Sequence, residues 1–163
     1  MNLEIETELG YISAGVSRLE GLYVKLAQKQ GITYGIVQVL YSLRLNGSVT
    51  QKEISGTCEI PKQTVNCAIK QLKADKYITL VTGKEDKRVK KIKLTKSGES
   101  YMQTILKPYF EVNIAVGNRV GVDLIKNLSK GLKTLGDALE LEMELKEVSS
   151  KWEEKKNNEP KRR

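Results

Sequence analysis

The sequence contains no histidine, and that one absence removes Ser-His-Asp triads, Cys-His dyads and the commonest zinc ligand together. Its two cysteines, Cys58 and Cys67, are too few for the disulfide framework of a small secreted domain. Without other soft ligands they make no metal site either. No apolar run approaches the ~18 residues that a membrane span requires, and Met1-Asn2-Leu3-Glu4 opens nothing like a signal peptide. The chain also lacks a phosphate-binding Gly-rich loop, a Ser-x-x-Lys motif and paired acids at a strand end. The expectation is a soluble, cytoplasmic protein with no cofactor or metal, and not an enzyme.

What is present is an uneven distribution of positive charge. The 163 residues suit one domain, or one domain with oligomerisation arms, and carry a net charge of +8. Residues 1–49 are balanced, with 4 basic and 4 acidic side chains. Residues 99–163 hold 12 and 11, so nearly all the excess lies in residues 50–98, where 12 basic residues face 5 acidic ones. Solubility alone does not require that asymmetry; a solvated basic face and an electrostatic footprint for a polyanion such as duplex DNA both account for it, and the order of elements has to decide.

Periodicity orders the rest. Leu3, Ile5, Leu9, Ile12, Val16, Leu19, Leu22, Tyr23 and Leu26 step by three and four along one amphipathic helix that closes near Gly31. Thr33-Tyr34 open a second helix carrying Ile36, Val39, Leu40 and Leu43, and Asn46-Gly47-Ser48 turn it off. Thr50-Gln51-Lys52-Glu53 has the pattern of a capping box at the start of a short helix that Gly56 weakens. Pro61 suits the first turn of the next helix, whose Val65, Ala68, Ile69 and Leu72 form one apolar stripe. Ile78–Val81 and Val89–Leu94 read as the strands of a hairpin whose loop, 82–88, is polar and basic. Thr95 caps a further helix, bent at Pro108. After Gly117 and Gly121 a last helix places Ile125, Leu128, Leu132, Leu135 and Leu139 on a coiled-coil-like seam. From about Ser149 the polar tail is expected to be disordered.

A capped short helix, a tight connection, a helix with a polar outer face and a basic hairpin are, in that order, a winged helix-turn-helix. The sequence resembles the MarR family of winged-helix transcriptional regulators in Thr33–Leu43, Thr50-Gln51-Lys52-Glu53-Ile54 and Ile60-Pro61-Lys62-Gln63-Thr64-Val65-Asn66. The fourth matching stretch is Asp86-Lys87-Arg88 followed by Leu94-Thr95-Lys96-Ser97-Gly98. The resemblance implies a mainly α fold with a small β-hairpin wing, flanked by long N- and C-terminal dimerisation helices. The implied segments are 1–32 (dimerisation), 33–104 (DNA-binding domain), 105–148 (dimerisation) and the tail 149–163. It further implies a homodimeric repressor that covers a pseudo-palindromic operator in double-stranded DNA and is released by a small-molecule effector. Three positions depart from the family's pattern. Lys76 stands where Gly is usual, Pro61 replaces a Ser or Thr cap, and Cys67 replaces a polar or basic residue. A non-Gly residue in a left-handed cap costs on the order of 1 kcal/mol, so the expectation at Lys76 is a turn built differently.

On this reading Gln63 and Asn66 face adenine edges, Lys62 and Lys70 guanine or phosphate, Thr64 a phosphate, and Cys67 a thymine methyl. Arg88 enters a narrow minor groove, with Asp86 orienting it. Lys52, Lys84, Lys87 and Lys91 neutralise the backbone. Leu9 and Ile12, with Ile125, Leu128, Leu132, Leu135 and Leu139, make the dimer interface. Tyr34, Tyr41 and Met102 are candidates to line an effector pocket. Cys58 falls where an apolar residue would pack. The alternative function is a winged-helix protein–protein interaction module without specific DNA binding.

Overall fold

The structure, a computed structural model, describes residues 2–57, 60–82 and 90–158. The chain divides into two compact units, Met1–Val112 and Asn113–Arg163. In chain order the elements are α1 (Leu3–Lys29), α2 (Tyr34–Asn46), β1 (Ser48–Thr50), α3 (Gln51–Thr57), α4 (Lys62–Ala74), β2 (Ile78–Thr82), β3 (Lys90–Leu94), α5 (Lys96–Val120) and α6 (Val122–Asn158). This is the expected mainly α winged helix.

Within the first unit the core is built around α2, which buries Ile36, Val37, Val39, Leu40 and Leu43. Against it pack Val65, Ala68, Ile69 and Leu72, the complete apolar stripe of α4. Ile54 of α3, Val49, Ile78 and Ile92 of the sheet, and Ile105, Leu106 and Tyr109 of α5 close the rest. Each such side chain contributes ~1.5–3 kcal/mol on burial, which is why the short helices hold despite weak local propensity.

The sheet has three strands in the order β1-β3-β2, all antiparallel. Val49 and Leu80 flank Ile92 on the core side, and Thr50 and Val81 flank Lys91 on the other. Sequence periodicity gives no sign of β1: three residues are too few to show alternation, and the strand exists because β3 supplies its partner. The loop 83–89 lies outside the described residues, as does Cys58.

Two local expectations change, at Pro61 and in the tail. Pro61 is the N-cap of α4 rather than a first-turn residue, with φ −53° and ψ 130°. An extended ψ is what Pro can offer before a helix when no side chain caps it. α5 continues through Pro108, at the expense of one backbone hydrogen bond to the Thr104 carbonyl. The last helix runs to Asn158, past the Ser149 where the sequence reading ends it. A polar composition does not by itself end a helix, because Lys and Glu are good helix formers in their own right.

The end of α4 answers the question about Lys76, which is left-handed at φ 60°, the conformation Gly would favour. The Lys76 N–H donates to the Lys73 carbonyl at 3.1 Å and the Tyr77 N–H to the Leu72 carbonyl at 2.9 Å, so the helix closes in the ordinary way. The turn is held from outside. Thr95 Oγ1 donates to the Lys76 carbonyl at 2.8 Å, the Thr95 N–H to the Tyr77 carbonyl at 3.0 Å, and Thr95 Oγ1 accepts from the Gly98 N–H at 3.0 Å. A Cβ on Gly98 would stand 1.8 Å from the Tyr77 carbonyl oxygen, so no other residue fits there without moving α5.

Gly98→Ala is therefore expected to lower the free energy of unfolding by about 3 kcal/mol or more, and Lys76→Gly to raise it by up to about 1 kcal/mol. Urea midpoints of the two variants test both signs; an unchanged midpoint for Gly98→Ala would contradict the close approach.

Candidate nucleic-acid interface

The polar side of α4 is left open by the burial of the other. Lys62, Gln63, Thr64, Cys67 and Lys70 are exposed and Asn66 is half-buried, while Val65, Ala68, Ile69 and Leu72 point into the core. Five of these six predicted contact residues fall at 62, 63, 66, 67 and 70, steps that keep them on one helical face. The sixth, Thr64, also serves the fold. A Cβ on Gly35 would meet Thr64 Cγ2 at 2.9 Å, so Gly35 is what lets α2 and α4 approach. Gly35 was legible only as a glycine inside a helical pattern, and the sequence reading passed over it.

No side-chain hydrogen bond caps α4 at Pro61. The start of α4 carries Lys62, Gln63 and Thr64, whose first-turn N–H groups have no partner within the helix and present partial positive charge. Gln51, also missed by the sequence reading, ties α3 to this end: its Nε2 donates to the Lys62 carbonyl at 3.4 Å.

The capping box predicted for α3 forms in both directions. The Glu53 N–H donates to Thr50 Oγ1 at 3.1 Å and the Thr50 N–H to Glu53 Oε2 at 2.6 Å. Hydrogen bonding of the carboxylate by Thr50, first through its backbone N–H and then through its side chain, holds the Glu53 carboxyl below its ordinary value, with the Lys91 charge acting in the same direction. Since Thr50 is also the partner of Lys91 in the β1–β3 pairing, α3 and the wing strand meet at this box. Lys52 and Lys91 are exposed on either side of it, with Lys90 and Lys93 exposed along β3. Lys84, Asp86, Lys87 and Arg88 lie outside the described residues.

The candidate pocket residues occupy different surroundings. Tyr34 stacks on Tyr23 at 6.2 Å, and Tyr23 on Tyr109 at 6.1 Å. Burial, with Tyr34 adding to it, pushes the Tyr109 phenol up to about 12. Tyr41 is exposed beside Phe110 at 6.2 Å, and Met102 is buried along a groove at the start of α5. The residues expected at a dimer interface are uncovered within the single chain. Leu9, Ile12, Ile125, Leu128, Leu132 and Leu139 are all more than 40% exposed, and Leu135 is half-buried. Among the described residues no helix is long and apolar enough to cross a membrane, and no cluster of acidic or cysteine side chains could hold a metal.

Residues 30–89 match the family model described as MarR family. The uncharacterized HTH-type transcriptional regulator YwoH of Bacillus subtilis (strain 168) is 36% identical over 97 residues, 57% of this chain. That match spans 65% of the relative's own length. Among solved structures, a MarR family regulator from Neisseria meningitidis superposes with a TM-score of 0.75 at 26% identity, over 85% of this chain and 98% of that one. A mutant MarR from E. coli complexed with operator DNA superposes with a TM-score of 0.63 over 83% and 98% of the two chains. At 18% identity the latter shows likeness of fold alone.

The lowered Glu53 value sets a pH dependence. A carboxyl whose folded pKa is depressed adds stability that is present above its unfolded value and lost as pH falls through the folded one. The difference in thermal stability between wild type and Glu53→Ala is expected to be widest above the reference value of 4.5 and to close as pH falls below it. A difference that stays constant from pH 7 to pH 3 would mean the carboxylate charge contributes nothing to the cap.

Proposed function

We propose that the chain, whose residues 30–89 match the MarR family model, is a sequence-specific DNA-binding transcriptional regulator acting as a homodimeric repressor. The observation that carries this reading is the division of α4: one face wholly buried, the other a run of donors and acceptors suited to base edges and phosphates. Gln63 and Asn66 carry the side-chain amides that make bidentate bonds to adenine, and Lys62 and Lys70 the cations for guanine or flanking phosphates. The uncapped start of α4 adds backbone N–H groups that a phosphate would satisfy. Thr64 contributes there as well, and Cys67 meets a thymine methyl. Arg88 reaches the minor groove from the wing, with Asp86 orienting it and Lys84, Lys87 and Lys91 neutralising the backbone. Lys52 does the same from α3. The operator-bound E. coli relative supports this placement by likeness of fold.

The exposed apolar seam of α1 and that of α6, each taken by itself, support the homodimer. Contiguous surface of that kind is uncommon on a soluble monomer and marks an interaction site. A second copy satisfies it with the same residues on both sides, as two-fold symmetry requires. Repression is then occlusion, with two reading helices on half-sites about one helical turn apart. A small effector that favours a different half-site spacing would release the operator by population shift.

Fluorescence anisotropy on DNA from upstream of the chain's own gene, against shuffled DNA and across a salt series, tests the central claim. The pair of recognition units is expected to neutralise ~6–10 phosphates, so affinity should fall by about 10³-fold or more from 50 to 200 mM salt. Gln63→Ala and Asn66→Ala should lose about 1–3 kcal/mol of preference for the specific site, and Arg88→Ala should weaken binding to it. Salt-insensitive binding indifferent to these substitutions, together with a genome-wide selection that returns no motif, would leave the protein-interaction module in its place.

The assembly has its own test. Light scattering should give a mass near twice 18.3 kDa for wild type. Leu132→Glu should drive it to the monomer and reduce operator affinity in parallel; a monomeric wild type that still binds the full operator would overturn the dimer.

A further inference from the structure

Where the C-terminal end of α2 meets β3 and the first turns of α5, the first unit has a groove of about 640 Å³. That lies within the ~300–1,000 Å³ typical of small-molecule sites. Its floor is apolar, formed by buried Leu43 and Met102 and half-buried Leu94. Its walls carry two cations, Arg44 and Lys93, and one carboxylate, Glu99.

These charges share one space without neutralising one another. The salt bridges among the described residues are Lys107–Glu111 and Lys133–Asp137, and neither involves the groove. The Arg44 guanidinium is held over the Phe110 ring, 4.3 Å from its centroid. Stacking of that kind fixes the guanidinium plane and keeps its N–H edge for a partner lying in the plane, the geometry a carboxylate takes. Asn46 donates through Nδ2 to the Ser42 carbonyl at 3.1 Å, so its Oδ1 remains as an acceptor on the wall.

The lining selects a class of ligand by elimination. An inorganic anion would use Arg44 and Lys93 but gain nothing from the apolar floor. A fatty acid would cover the floor and leave the Glu99 carboxylate without a counter-charge. An alkyl amine would satisfy Glu99 and leave two cations unpaired. A molecule that carries both charges at one end and an apolar body at the other matches the whole lining. We propose that this groove is a binding site for a small amphipathic zwitterion, a free α-amino acid with an apolar side chain. Its carboxylate sits between Arg44 and Lys93, its ammonium faces Glu99 and its side chain covers Met102. The site is separate from the polar face of α4, and its occupancy is measured with no DNA present, so its failure and that of the DNA-binding reading are distinguishable.

Methyl-labelled methionine supplies the readout. Of the three methionines, Met102 lies in the groove and Met143 on α6 serves as an internal reference. L-leucine and L-phenylalanine, titrated to about 20 mM, are expected to shift the Met102 methyl resonance saturably and leave Met143 in place, as for a millimolar or tighter site. 4-Methylpentanoate, which lacks the ammonium group, and 3-methylbutylamine, which lacks the carboxylate, should each bind about tenfold or more weakly than leucine, because each leaves a charged wall unpaired. In Glu99→Gln protein leucine should lose its advantage over 4-methylpentanoate, and in Arg44→Gln protein both carboxylates should bind more weakly. No saturable Met102 shift with either amino acid overturns the proposal. So does an equal response to leucine and its two analogues, which carries the answer even if a variant fails to fold.

Discussion

The carbonyl groups of Lys76 and Tyr77 are the point on which this winged helix turns. The N–H groups of these two residues end α4, and their two carbonyl oxygens receive the Thr95 hydroxyl and the Thr95 backbone N–H that begin α5. Between those points the chain has made β2 and β3, so one junction fixes the end of a helix, the base of a hairpin and the start of another helix. Ile78 opposes Leu94 in the same register, which brings Tyr77 and Thr95 together as the next residues outward. Gly98 completes the arrangement because α5 can lie against the Tyr77 carbonyl only where there is no Cβ. Tyr77 and Tyr101 then stack at 4.0 Å between ring centroids, covering the junction with apolar surface. Burial in that stack raises the Tyr101 phenol above its ordinary value, with Tyr77 and Asp75 adding to the shift. A sequence pattern of Leu-Thr-x-x-Gly thus has a mechanical meaning: it clamps the C-terminus of the helix before the wing.

The clamp also explains how Lys76 is tolerated. The left-handed conformation costs a non-Gly residue roughly 1–2 kcal/mol. Closing bonds to Leu72 and Lys73, together with the hydroxyls of Thr95 and Ser97 on the Lys76 carbonyl, offset that cost. The sequence reading inferred a different turn because it weighed the local preference of one residue and could not see hydrogen bonds arriving from about twenty positions later. The same blindness hid β1, whose only reason to be a strand is a partner more than forty residues away in the chain.

What was legible depended on local chemistry or on period. The apolar stripe of α4 and the capping box at Thr50–Glu53 emerged as read, because spacing alone sets both. The Thr95 cap did so through its own bond to the Gly98 N–H. The polar face of α4 was legible for the same reason: a helix with four buried positions in thirteen must turn the others outward. Pro61 and the tail were misread in opposite directions. At Pro61 a residue preference outranks the extended backbone before the helix, and in the tail a polar and charged composition reads as disorder although Lys and Glu favour helix. Nothing in the order of residues disclosed the groove at Arg44, since its walls come from three elements whose meeting is a property of the fold.

The second unit follows a different physical logic from the first. From Val122 to Glu147 the side chains of α6 are exposed throughout except for Leu135, which is half-buried. Long helices in proteins draw most of their stability from packing an apolar face, and exposed i, i+4 pairs such as Lys133–Asp137 add only ~0.3–0.5 kcal/mol each. The seam of α6 therefore carries more apolar surface than its own unit uses. A helix in that condition is stabilised by whatever covers it, and the gain depends on concentration in a way that a buried core does not. The wing junction keeps its geometry through bonds within the chain and needs no such cover.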